Sequence, residues 1–576
     1  MNIKKYLFIG TAVVGFGLTS CVGDLDLQPN DPNLVDTNSE NFEENSLAMC
    51  YAGIAVSGIS GAGSSYVSGL DAGTSAYLRM IFTLNEFCTD ELVWIWPDAG
   101  VTDIVSCTWS STNTLLQGTY YRLLGHIAIC NQFLTNTAGN ESAEMQEMRA
   151  EARTLRAYSY YNMLDLFGQS SFITEEAAVG EEPAQYSRLE LFNWLENELK
   201  DIVDNKRISE NPVYGRVGLD GAEGLLARLY LNAEVYSGTA RWQDCLTRCN
   251  NIIARHQGSG FEGSGLAEHY LYLFCRDNKQ YMPGGTNSAE NEILFGIAYD
   301  DTMTQSYGGP TFIIASTISN THYIPRQLYG CSAEWSCIRG IQQMADKFPQ
   351  DDAAYVNDVR DDLWLRGGVD KYPAGSNVEG SWEAENYSDH FEDFTGAWNT
   401  TGGNAIIKFT GRTPNAAKDG GWDMTSTVDA NGITQWTCGF PATSFASTDH
   451  PIIRLADIYL LVTECYVNGH VGDQATALNY LNLIRRRAGA TEVSAAALAN
   501  NEFIMAERSR EFYLESLRRT DLIRNGYFTG PQQIIWQYKG NFNNNEGTRI
   551  ADKYSLYPIP YAVLAAQPDF KQNPGY

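Results

Sequence analysis

Leu225, Leu226, Leu229, Tyr230 and Ala233 fall on one face of an α-helix, and Gly238 interrupts that pattern. Trp242, Cys245, Cys249 and Ile252 then begin a second apolar stripe. Two amphipathic helices within about 35 residues is the tetratricopeptide period. A unit of that kind cannot bury its apolar face alone, so it needs stacked neighbours. The sequence supplies them on both sides. Residues 113–168 read as helical, ending in Leu155, Tyr158, Tyr161 and Leu164 before a stop at Gly168. Residues 188–256 contain the pair above, with Asp220 and Glu223 spaced as a capping box. Residues 451–526 predict helices over 451–468, 473–488 and 500–524, parted at Gly469 and Gly489. The expected fold is mainly α, a tetratricopeptide-like helical-repeat scaffold.

Between about 257 and 450 the texture changes. Gly, Asn, Thr, Ser and Trp are dense and periodicity is poor, and 57–112 reads the same way. Long excursions of this kind inside a compact domain usually carry function. The expectation is one domain over 21–576, in which helical scaffold (113–256 and 451–526) carries two irregular excursions that meet in space. Tyr, Trp and Phe make up 12% of the 576 residues, with 33 Tyr and 12 Trp. That exceeds what a core needs and points to a stacking surface.

The first 20 residues read as an export signal. Lys4 and Lys5 precede the apolar run Leu7–Leu18, which is too short to span a bilayer as a helix. Leu18-Thr19-Ser20-Cys21 then resembles a bacterial lipobox, in which Cys21 is acylated and becomes the first mature residue. Triacylation anchors a protein stably to a membrane. Asp24 and Asp26 resemble the acidic tether of surface-exposed Bacteroidetes lipoproteins.

Acids outnumber bases 69 to 40, a net charge of -29. Such a chain repels phosphate backbones and anionic lipid, which argues against nucleic acid or a basic membrane face. The eleven other cysteines form no CxxC pair, there is no HExxH, and only seven His are scattered along the chain. Cys245 and Cys249 read as small buried hydrophobes, and a zinc site is not expected. GxSxG and P-loop motifs are missing, whereas an Asp/Glu pair for glycoside chemistry is not excluded by sequence. An acidic surface chain is compatible with calcium, but the spacing yields no ligand loop, so no cofactor is assigned.

Six blocks in order carry a family resemblance. They are the lipobox, Glu151-Ala152-Arg153 through Phe167-Gly168, and Gly215-Arg216 with Leu225 to Leu231. Then come Pro451 to Asp457, Arg510 to Glu515 with Arg518-Arg519-Thr520-Asp521-Leu522, and the closing Tyr557-Pro558-Ile559-Pro560 and Gln572 to Tyr576. Together they resemble the SusD/RagB family, glycan-binding lipoproteins of Bacteroidetes outer membranes. The resemblance implies an α-superhelix of about four repeat pairs, a non-catalytic role, a position on the outer face of the outer membrane, and a SusC-type TonB-dependent transporter as partner. The Arg and Glu of these blocks, set in apolar helices, are expected to pair with each other and hold the helix stack.

Within the excursions the resemblance narrows to the family's starch binder. It rests on Asp71-Ala72-Gly73, Arg79, Asn85-Glu86, Asp90 to Trp96, Tyr307-Gly308-Gly309 and Trp335-Ser336-Cys337. It implies an aromatic arc of Trp94, Trp96, Tyr307 and Trp335 holding an α-glucan oligosaccharide of maltooligosaccharide type. Physical chemistry agrees. In extended chain, residues i and i+2 point the same way, so Trp94 and Trp96 would offer two rings to one face. Pyranose C–H faces lie flat on an indole, while Arg79, Asp71 and Asp98 supply donors and acceptors for the hydroxyls. Two glycines after Tyr307 suit a turn that exposes its ring. Pro97-Asp98-Ala99-Gly100 is one residue shorter than the starch binder's segment and lacks its Asn. Either that amide contact is lost or Asp98 replaces it, so a different glycan remains an alternative. So do a RagB-like peptide ligand and a transporter lid without a ligand of its own.

Overall fold

The computed structural model describes residues 41–576 apart from 179, 280–288, 319–328, 350–351, 362–363, 366–404, 416–421, 429, 431–433 and 543–545. Residues Leu47–Tyr576 form one compact unit, and Met1–Ser46, of which 41–46 are described, form another. The export signal and Cys21 lie outside the described residues. In chain order the elements that build and position the site are α1 (Tyr77–Glu86), β1 (Leu92–Trp94), α2 (Thr114–Asn136), α3 (Ala143–Phe167), α4 (Arg188–Asp204), α5 (Leu219–Leu231), α6 (Trp242–His256), β2 (Ile293–Ile297), α7 (Gly309–Thr317), β3 (Ile338–Gly340), β4 (His450–Arg454), α8 (Leu455–Val467), α9 (Gln474–Arg487), α10 (Asn501–Phe512) and α11 (Arg518–Arg524).

From α2 to α6 each helix packs on the next, and α8 continues the stack against α6 and α9. The starts are fixed by side chains. Asn113 accepts the backbone N–H groups of Leu115 and Leu116 at 3.0 and 3.2 Å. Ser142 accepts that of Met145 at 3.2 Å. α3 stops at Gly168, whose φ of 74° is open to glycine at little cost. The capping box lies elsewhere than the sequence suggests. Ser187 and Glu190 cap α4 reciprocally, whereas α5 starts after Gly218 with no side-chain cap. Asp220 and Glu223 instead accept hydrogen bonds from Arg255 of α6, which ties two repeat helices together. The predicted stripe of α5 is buried, with Leu229 fully enclosed, as are Cys245 and Cys249. Leu229→Ala should therefore cost about 2–5 kcal/mol, read as a shift in the denaturant midpoint at unchanged slope.

Two boundaries in the third helical region differ from expectation. Residues 450–454 are a strand, β4, pairing antiparallel with β2 from His450↔Ile297 to Arg454↔Ile293. All five of its residues are buried, and a short apolar run buried on both faces has no period to tell strand from helix. The 500–524 helix is two helices, α10 and α11. Leu514 and Ser516 between them adopt φ of 65°, the left-handed region. That kink aims Glu515 at the Arg454 guanidinium, whose Nε and Nη2 donate to it at 2.7 and 2.8 Å.

The excursions are more ordered than their texture suggests. Residues 57–112 contain α1, which is buried at nearly every position although Arg79, Thr83 and Glu86 fall at i, i+4 and i+7 on one polar face. It is bolted to the scaffold through its C-terminal end. The Ser516 N–H donates to Glu86 at 2.6 Å, Arg518 of α11 donates twice to Asp90 at 2.6 and 2.7 Å, and Ser509 of α10 donates to Glu91. Lys347 adds a 2.9 Å ion pair to Asp90. The segment that enters β1 is thus held by charges from the last two repeat helices.

Candidate functional site

The β1–β3 ladder brings together two segments about 240 residues apart. Leu92 faces Gly340, Val93 faces Arg339 and Trp94 faces Ile338, and Ile95 N–H donates to the Cys337 carbonyl at 3.0 Å. α7 lies against the same strand. Trp335 N–H donates to the Ala315 carbonyl at 2.6 Å, and Cys337 N–H to that of Ser316 at 2.9 Å. Tyr307 precedes α7 directly. Both of its glycines are required: a Cβ on Gly308 would fall 2.2 Å from the Ala76 Cβ, and Gly309 has φ of 57° with Tyr299 against it. On the other side, a Cβ on Gly73 would fall 2.8 Å from the Arg79 Nη1 and 3.2 Å from the Tyr307 Cβ. Gly73 is the gap across which Arg79 and Tyr307 stand side by side.

All seven sequence-predicted side chains therefore belong to one region. Tyr307 is 38% exposed. Its ring meets Trp335 at 6.3 Å and 43°, and Phe445 at 5.0 Å and 52°. Trp335, Trp96 and Phe445 are half-buried. Asp71 is exposed and its Oδ1 accepts the Thr74 N–H at 3.0 Å, which fixes the turn below Gly73. Arg79 projects from α1, with its guanidinium carbon 4.4 Å from the Phe312 ring centroid and 5.3 Å from that of Trp94. Stacking holds the cation while leaving its donors available. Among the described residues, no hydrogen bond engages its N–H groups.

Trp94 requires a correction. It is 2% exposed, with its ring stacked on Phe312 at 5.7 Å and 28° and packed against Phe87 at 5.6 Å. β1 ends at Trp94, so the alternation that would turn both indoles to one face stops there. Trp96 meets Trp94 edge-on at 5.8 Å and 70°. Trp94 is thus a supporting wall and not an exposed stacking ring. Two contributors were missed. Phe312 lies in the buried α7, and Phe445 sits in an irregular stretch where no pattern singles it out.

The carboxylates that flank Arg79 are driven apart. Burial pushes Asp71 up, but its hydrogen bonds with Thr74 and the charge of Arg79 outweigh it and hold the group below the usual range. Burial pushes Asp98 up and wins, because Asp71 adds repulsion against the pull of Arg79 and the Trp94 indole. Beside these groups a cleft of about 300 Å³ opens between α1, the 98–101 segment and the start of α2. Asp71, Arg79, Trp94 and Asp98 line it; Trp96, Tyr307 and Trp335 stand outside. A larger groove of about 750 Å³ runs beside α3 and α4, where Arg153 and Arg156 are already paired with Glu198.

A helical-repeat body whose inserted segments present the exposed Tyr307 ring, the half-buried Trp335 and Phe445, and an unengaged arginine has the build of a ligand-binding protein. The chain belongs to the SusD family. The SusD family model matches residues 291–576. The starch-binding protein SusD of Bacteroides thetaiotaomicron is 31% identical over 98% of this chain and 97% of its own. The SusD-like protein P25 of Formosa agariphila is 23% identical over 76% of this chain and 75% of its own. Among solved structures, surface glycan-binding protein A from Bacteroides thetaiotaomicron superposes with a TM-score of 0.64 at 17% identity. It covers 94% of this chain and all of that one. The same-named protein in complex with laminarihexaose gives 0.64 at 16% identity, over 93% and 99% of the two chains. Among the described residues, no helix is long and apolar enough to cross a membrane.

Proposed function

We propose that this protein is a non-catalytic, cell-surface lipoprotein that captures starch-like α-glucan oligosaccharides and passes them to a SusC-type TonB-dependent transporter. The observation that carries this reading is Arg79. Its N–H groups are unengaged among the described residues, Asp71 and Asp98 act on its charge, and it adjoins the exposed Tyr307 ring, which meets the half-buried Trp335 and Phe445. Rings take the C–H faces of successive sugars, while the arginine and carboxylates take hydroxyls. The starch-binding name of the 31% identical relative favours an α-glucan. The laminarihexaose complex of a structural neighbour favours, as second reading, a differently linked glucan.

Calorimetric titration with maltoheptaose, laminarihexaose and an extended peptide separates these readings. Binding of maltoheptaose in preference to the other two is expected, with no new reducing ends after prolonged incubation. Preference for laminarihexaose or the peptide would overturn the α-glucan assignment. The anchor is tested separately. Cys21→Ala removes the thiol to be acylated, so the protein should lose its surface display. Undiminished surface labelling of that variant would contradict a lipid anchor at Cys21.

A further inference from the structure

The 300 Å³ cleft is not explained by sugar stacking. Its floor is Met80, Leu84, Phe87, Trp94 and Leu115, all buried. A pyranose stacks by its C–H faces and sends its hydroxyls outward to polar partners; below the Asp71–Arg79–Asp98 rim this lining offers only threonine hydroxyls, so each sugar hydroxyl pushed past the rim costs free energy. The charged groups, Asp71, Arg79 and Asp98, stand at the rim; the buried Thr83 and Thr119 add hydroxyls, and that of Thr119 is already spent on the Leu115 carbonyl at 2.8 Å. Arg79 is thus shared, facing the ring platform through Gly73 and Tyr307 and bordering the cleft as well. A molecule lying on the rings and held by Arg79 reaches the cleft with whatever it carries at that point.

Size and charge narrow what that is. An apolar cavity of about 150 Å³ takes one benzene, so this one accommodates a substituted aromatic ring. The rim carries two carboxylates against one guanidinium, which disfavours an anionic group and suits a neutral ring bearing a hydrogen-bond donor. The floor itself contributes the rings of Phe87 and Trp94, which favour an aromatic partner over a plain alkyl chain.

We infer that the cleft bounded by α1, the 98–101 segment and the start of α2 is an aryl-binding subsite, which accepts a neutral phenolic substituent carried on the bound sugar chain. The inference rests on the platform reading above. It makes the protein selective for decorated oligosaccharides over bare ones.

The test compares maltopentaose with its 4-hydroxyphenyl glycoside by calorimetry on the full chain. The glycoside should bind at least tenfold more tightly. Ala99→Trp and Thr114→Trp block the mouth from opposite sides, and both positions are exposed, so the fold should tolerate them. Each should return the glycoside to the affinity of maltopentaose while leaving maltopentaose itself unchanged. Equal binding of the two ligands by the wild-type protein would overturn the aryl subsite and spare the platform. Weakening of both ligands alike by either variant would put the sugar itself in the cleft and also overturn it. Binding of neither ligand would contradict the platform reading on which the subsite depends.

Discussion

Arg454→Ala is expected to destabilise the protein by about 3–5 kcal/mol, the cost of breaking a buried ion pair from one side. Arg454 ends β4, is fully buried, and donates to three carboxylates: Glu292 at 2.9 Å, Glu511 at 2.7 Å and Glu515 at 2.7 Å. Removing it leaves three acids around a vacated site, with Arg487 on Glu292 and Glu511, Arg360 on Glu511 and Lys408 on Glu515 as cations that remain. Because Glu515 sits in the kink between α10 and α11, the loss should also loosen Ser516 and Arg518, which hold the site-bearing α1–β1 segment. Urea denaturation measures the change. A loss under about 1 kcal/mol would mean that these charges are as dispensable as surface pairs.

The second large effect is with acid. Burial alone would raise the pKa values of Glu511 and Asp521, but neighbouring arginines outweigh it and hold both at about 2. Glu507 and Asp90 are held lower still, by Arg510, Arg360 and Arg485 in one case and Arg518 and Lys347 in the other. A carboxylate depressed in the folded state stabilises it above its unfolded pKa, roughly 4, and that stabilisation is lost as pH falls through the folded value. Four such groups losing ground together should unfold the protein between about pH 4 and pH 2. Glu86 has the opposite sign. Burial first, then Glu91, pushes it well above the usual range. Its contribution is full below the unfolded value and declines as pH rises through the folded one. Melting temperature against pH should therefore fall steeply on the acid side and gently on the alkaline side, and Glu86→Gln should flatten the alkaline limb alone. A melting temperature unchanged from pH 7 to pH 3 would contradict this account.

These charges were legible in the sequence as a motif and not as a network. Arg454, Asp457, Arg510, Glu511, Glu515 and Arg518 all lie in the blocks that mark the family, and their placement in apolar helices signals pairing. Which acid meets which base depends on the β2–β4 register and the kink at residues 514–516, and no local pattern encodes either. The repeat helices were legible because each shows a stripe at helical period. α1 was not, although Arg79, Thr83 and Glu86 fall at i, i+4 and i+7, because its ten residues follow a Gly- and Ser-rich stretch that reads as irregular. The same physics explains Trp94. Spacing places it beside Trp96 on a strand, but the strand's length decides whether i and i+2 share a face, and β1 ends two residues before Trp96. Phe445 joins Tyr307 through tertiary contact alone, from a stretch without periodicity.

The sugar-binding surface proposed for Tyr307, Trp335 and Arg79 is open to direct measurement. Its most direct test is calorimetry of maltoheptaose with the wild-type protein and with Tyr307→Ala/Trp335→Ala, checked for unchanged melting temperature. Each ring–ring stack contributes about 0.5–1.5 kcal/mol beyond area burial, and a sugar–ring stack is taken as similar. Losing two should therefore weaken binding by roughly five- to 150-fold. That loss, with the fold intact, is the expected result; wild-type affinity in the double variant would place the ligand elsewhere on the molecule.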